Sequence, residues 1–118
     1  MFLDERDAEI AKILSDYFKG VERRWPDAWQ NRVQGNILNR TTGFAALMRF
    51  LADAYVDVTA RGAMPSTEEF EVIFNRINMI DADFNSQRYK TGTGGEARLY
   101  HDLIAASGLA ASVASLEF

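Results

Sequence analysis

Two short segments have residue types suited to holding an anion: Arg40-Thr41-Thr42-Gly43 and Lys90-Thr91-Gly92-Thr93-Gly94-Gly95. Each puts a cation, hydroxyls and glycine just where an apolar helical pattern begins. Free amides at a helix start, the positive end of its dipole and hydroxyl donors together suit phosphate, and glycine lets a ligand approach the backbone. The order differs from a P-loop, which needs Gly-Lys-Ser/Thr at the helix start after a strand. The competing interpretation is ordinary capping beside a polar loop. Asp81-Ala82-Asp83-Phe84-Asn85 resembles the opening of a calcium loop, but Ser86 and Gly92 stand where that loop needs its glycine and its bidentate glutamate. A polar turn is the stronger reading there.

The remaining chemistry-bearing residues favour structural roles. Arg23, Arg24 and Arg32 flank Trp25 and Trp29, an arrangement that can stack a base or seal a small core; burial of the indoles is the expectation. His101 is the only histidine and the chain has no cysteine, so multi-histidine and thiolate metal sites are excluded. A partly exposed helical histidine is expected. Arg49, Asp53 and Asp57 are spaced one helical turn apart, which suggests a solvated face with an ion pair. No constellation supports a catalytic assignment, and no cofactor is implied.

The elements that position these residues read as helices. Phe44, Leu47, Met48, Leu51, Ala54, Tyr55 and Val58 recur at steps of three and four, one face of a long helix between Thr41 or Thr42 as cap and Gly62 as stop. A first helix begins near Asp4 or Asp7 and carries Ile10, Ile13, Leu14, Tyr17, Phe18 and Val21. Gly20 allows close approach by another helix, and Pro26 opens a short turn. Gly35-Asn36 is a turn signal, and Ile37 and Leu38 enter the core. Ser66-Thr67-Glu68-Glu69 matches a capping box ahead of a third helix with Phe70, Ile73, Phe74 and Ile77, ending near Met79 or Ile80. Residues 81–95 form a long polar loop, functional or mobile. A last helix from Gly94 or Gly95 carries Leu99, Tyr100, Leu103 and Ile104 and ends at Ser107-Gly108. The tail 109–118 is a short helix or frayed. The fold class is all-α: one domain over 1–118, a bundle of about four main helices with short turns.

Composition narrows the function classes. With 118 residues and a net charge of −4, the chain lacks the general cationic surface of a non-specific nucleic-acid binder, although a local patch is compatible with it. No apolar run reaches membrane-spanning length and Met1–Asp7 is unlike a secretory signal, so a cytoplasmic address is the expectation.

The order Tyr17-Phe18-Lys19-Gly20-Val21, Trp25-Pro26-Asp27-Ala28-Trp29, Asn39-Arg40-Thr41-Thr42-Gly43-Phe44 and Gly92-Thr93-Gly94-Gly95 resembles the C-terminal helical part of DGQHR-domain proteins. These bacterial and phage proteins include relatives of the DndB-type proteins of DNA phosphorothioation systems. The likeness spans roughly Ile10 to Ile104. The family's Asp-Gly-Gln-His-Arg motif lies in a preceding ParB-like domain and is missing here, so that domain's activity does not carry over. The resemblance implies a non-catalytic accessory module that contacts a protein, another domain of the same family, or nucleic acid. The alternative is a phosphate-, nucleotide- or nucleic-acid-binding module that uses the two Thr/Gly helix starts. Clustering of both segments around one pocket would favour the alternative; separation of them, with an apolar patch exposed elsewhere, would favour the accessory module.

Overall fold

The computed structural model of the chain describes residues 5–32, 35–38, 40–90 and 93–109. Among these residues five α-helices follow in order: α1 (Glu5–Arg24), α2 (Pro26–Trp29), α3 (Thr41–Ala60), α4 (Thr67–Asn75) and α5 (Thr93–Ser107). A 3-10 turn at Asp81–Asp83 precedes α5. Among the described residues the sole β pairing is an isolated bridge between Asn36 and Asn85. The all-α architecture expected from hydrophobic spacing is what the chain forms.

Named contacts fix the helix directions. On α1, Asp16 meets Thr67 and Arg24 meets Phe74, so α1 and α4 run parallel. Phe18 stacks on Phe44, and Ile10 and Ile13 lie by Leu51 and Tyr55, so α3 runs antiparallel to α1. Arg49 pairs with Glu96 and Asp53 with Tyr100, so α5 runs parallel to α3. Gly20 permits the close α1–α4 approach: a Cβ there would lie 3.1 Å from the Phe74 ring.

The core is aromatic. Tyr17 is fully buried, edge-on to Phe70 and tilted against Phe74, and its hydroxyl donates to the Leu47 carbonyl at 2.7 Å. Burial first, and the Asp53 charge second, push the Tyr17 phenol well above its ordinary value. Trp25 is also fully buried and donates its indole N–H to the Met79 carbonyl at 2.9 Å. The two tryptophans thus serve the core, Trp29 as a half-buried ring stacked on Phe18.

Four local expectations need correction. The residue that caps α3 is Arg40, in extended conformation and without a side-chain cap bond; Thr41 and Thr42 already lie inside the helix. In the capping box, Ser66 accepts from the Glu69 amide at 3.2 Å, but the Glu69 carboxylate turns to Arg61 at 3.3 Å. Helix α4 stops at Asn75 rather than near Met79, because the Arg24 guanidinium takes the carbonyls of Phe74, Ile77 and Met79. The Ile77 amide closes the last turn on the Phe74 carbonyl at 3.0 Å, and beyond it the Arg24 donors satisfy the carbonyls of Ile77 and Met79, whose side chains enter the core outside the helix. The span 81–90 is anchored rather than loose: Phe84 and Tyr89 are fully buried.

Gly62 and Gly108 take the left-handed conformation just after α3 and α5, as their stop signals require. No helix among the described residues is long and apolar enough to cross a membrane.

Candidate functional site

The central helix departs most from its expected role. Leu47, Ala54 and Val58 are fully buried and Leu51 is half-buried, but Phe44, Met48 and Tyr55 point to solvent, with exposures of 47, 38 and 40%. The expected single apolar face is therefore two faces. One meets the core. The other is open, and it continues through Val56, which is 55% exposed.

The exposed residues of α3 are Thr41, Phe44, Met48, Ala52, Tyr55, Val56, Thr59 and Ala60, and none is charged. The helix's three charged residues are engaged elsewhere. Arg49 pairs with Glu96 at 3.5 Å and lies over the Tyr100 ring at 4.3 Å. Asp57 pairs with Arg61 at 3.1 Å. Asp53, expected on a solvated face, is 3% exposed and accepts from the Tyr100 hydroxyl at 2.6 Å. Packing of α5 against this side of α3 draws Arg49 and Asp53 into an interhelical seam, while Asp57 keeps a local ion pair with Arg61.

Between the open side of α3 and α1 runs a groove of about 400 Å³ lined by Ile10, Ile13, Leu14, Met48, Leu51, Ala52 and Tyr55. The Tyr55 hydroxyl is the one polar hydrogen-bonding group among these side chains. At the groove's end Phe44 stacks on Phe18, and Phe18 on Trp29, each pair with ring centroids 5.4 Å apart. Phe44 thus has one ring face covered and the other available.

The predicted anion residues fall into two groups. At the start of α3, Gly43 is a packing residue: a Cβ would run into the Ile37 carbonyl oxygen and lie 2.6 Å from the Leu38 Cα. Its amide donates to that same carbonyl at 3.1 Å, and the Phe44 amide donates to the Arg40 carbonyl at 2.8 Å. Thr42 is buried; Arg40 and Thr41 are exposed. None of these residues lines the cleft at the second segment.

The second segment does border a cleft. Lys90, Gly94 and Gly95 line a space of about 260 Å³ together with Gln87, Arg88 and Arg98. Thr91 and Gly92 lie outside the described residues, and Thr93 is described only as the first residue of α5. Gly95 is required by packing, since a Cβ would meet the Lys90 carbonyl oxygen, whereas a Cβ on Gly94 would meet nothing within 4 Å. Arg88 is held near Asp83 at 3.4 Å and Asp102 at 3.9 Å. The Tyr89 hydroxyl donates to Asp102 at 2.5 Å; burial and this carboxylate push its phenol well above the ordinary range. Sequence reasoning missed Arg88 and Arg98. The signal for Arg98 was its position four residues after Gly94, which places it on the same helix face.

The oxygens of the calcium-like segment are committed to the backbone. Asp81 accepts from the Asp27 and Ala28 amides at 2.7 and 3.0 Å, which caps α2. Asp83 accepts from the Ile80 amide at 2.9 Å, and Asn85 from those of Gln87 and Arg88. Among the described residues no group of three acidic, histidine or cysteine side chains converges on a metal position. His101 is exposed on α5, its ring beside Tyr100.

No family model, curated protein or solved structure matches this chain.

Proposed function

We propose that this chain is a non-catalytic helical interaction module that receives an apolar helix of a partner protein or domain on the α1/α3 face. One observation carries the reading: α3 turns eight residues to solvent, none charged, four of them large and apolar. In a chain with 25% charged residues, a solvated helix face is ordinarily where charge collects. An uncharged apolar face beside a groove is the geometry that seats a helix through anchors one turn apart. The cleft at the second Thr/Gly segment takes no lining residue from the first, which points the same way. The DGQHR likeness, and with it the DNA-modification or phage-defence setting, belongs to this proposal and rests on its quoted motifs.

The test is selection of amphipathic helices from a displayed library against the folded chain. Binders that are lost on Met48→Asp and on Ile10→Asp, with circular dichroism unchanged, are the expected result. A selection that yields no binders, or binders indifferent to both substitutions, refutes the module.

A second reading has its own observation. Arg88, Lys90 and Arg98 surround one cleft at the start of α5 in a chain of net charge −4. This arrangement suits a phosphate group on an anionic ligand. Inorganic phosphate should then raise the melting temperature, and Lys90→Ala with Arg98→Ala should abolish the rise. No rise in the wild type removes this reading.

A further inference from the structure

The solvent face of α3 has a size pattern that fits a copy of itself. Thr41, Ala45, Met48, Ala52, Tyr55 and Thr59 follow one another at steps of four, three, four, three and four. That is the spacing of a coiled-coil seam, here on the side turned away from the core. Small residues stand at four of the positions and large ones at two. Read backwards about the level of Phe50, Met48 falls opposite Ala52, Ala45 opposite Tyr55, and Thr41 opposite Thr59. Phe44 and Val56, both large and exposed, flank the seam on its two edges.

We infer that α3 pairs antiparallel with α3 of a second copy about a two-fold axis at the level of Phe50, each large side chain entering the gap left by a small one. The inference rests on the interaction reading above and names its partner. A two-fold contact must be self-complementary, because each residue pair occurs twice. This face meets that condition in size and in charge. No exposed residue of α3 is charged, so the antiparallel register sets no like charges against each other. The Thr59 hydroxyl donates to the Tyr55 carbonyl at 2.9 Å, so covering it strands no donor. The seam is ~27 Å long at 1.5 Å per residue. With α1 beside it at ~10 Å, the face is of order 500 Å² per copy, about 1,000 Å² in total and at the lower bound for a specific contact. A weak, concentration-dependent dimer follows.

The chain lacks cysteine, which makes the register directly testable. Sedimentation from ~1 μM to ~1 mM should show monomer passing to dimer, with association at least ~10-fold weaker in Ala45→Arg and in Met48→Asp. Mixing a Met48→Cys chain with an Ala52→Cys chain under mild oxidation should give the mixed disulfide in preference to either homodimer. A monomer at every concentration that still binds the selected helices through Met48 overturns self-pairing and leaves the interaction module standing. A monomer that binds none overturns both. A dimer untouched by Met48→Asp, or one that links Met48→Cys to itself in preference, overturns the antiparallel seam.

Discussion

The Tyr100 hydroxyl donates to the Asp53 carboxylate at 2.6 Å, with both residues buried where α3 and α5 meet. A hydrogen bond to a charged group is worth ~1.5–3 kcal/mol, and removing one partner of a buried pair also leaves the other to be solvated. Tyr100→Phe should therefore lower stability by about that amount. The Asp53→Asn, Tyr100→Phe double variant should lose less than the two single losses added together. Urea titration of the four proteins measures the coupling; additive losses would show that the bond contributes little.

Alkaline pH should unfold this chain earlier than its melting temperature at neutrality suggests. Tyr17 and Tyr89 are both held well above the ordinary phenol value, chiefly by burial. In the unfolded chain these hydroxyls release protons near pH ~10, whereas the folded chain retains them. Stability is thus full below pH ~10 and falls as pH rises toward the folded-state values. Tyr17→Phe should cost ~1 kcal/mol at neutral pH through the lost bond to Leu47. It should also make the alkaline decline shallower. A decline of unchanged steepness in Tyr17→Phe and in Tyr89→Phe would assign it to other groups.

Glycine positions around the two predicted anion segments should separate by packing. Gly43→Ala and Gly95→Ala force a methyl into the backbone of residues 37–38 and 90, and each should cost ~3 kcal/mol or more. Gly94→Ala meets open space and should stabilise by up to ~1 kcal/mol, because alanine is the better helix former. Melting curves distinguish them at about 4 °C per kcal/mol. A tolerant Gly43→Ala would mean that the start of α3 sits less tightly on the 37–38 turn than described.

Asp81 joins two elements far apart in sequence by accepting from the first amides of α2. Asp81→Ala should cost ~1 kcal/mol, the usual value of a lost cap. Asp81→Asn keeps an acceptor and should retain part of it. Amide exchange at Asp27 and Ala28 reports the loss locally; protection unchanged in Asp81→Ala would rule out the cap.

The sequence made the helices legible because each has local punctuation. Pro26, Ser66, Gly62 and Gly108 act within a turn of the residue they affect, and their predicted roles match the fold. What stayed hidden depends on residues distant in the chain. Nothing near Asn75 says that α4 stops there; the reason is Arg24, some fifty positions upstream. Asp53 looked solvated because one helix alone cannot reveal that Tyr100 of α5 donates to it and helps to bury it. Periodicity likewise marks apolar stripes without saying which is covered. Phe44, Met48 and Tyr55 share the three–four spacing of Leu47, Ala54 and Val58, yet lie outside the arc of α3 that α4 and α5 shield. For the candidate cleft, Lys90, Gly94 and Gly95 were readable as a polar helix start, while Arg88 entered only through the path of the chain before it.

Arg24 and Trp25 also constrain the timing of synthesis. Their donors are met by carbonyls of residues 74, 77 and 79. While the ribosome has exported only the first half of the polypeptide, the end of α1 has neither its acceptors nor the Phe70 and Phe74 rings that close over Tyr17. The nascent first helix must therefore wait, with its greasy side uncovered, until the fourth emerges, and cotranslational folding should begin late and arrive in one step.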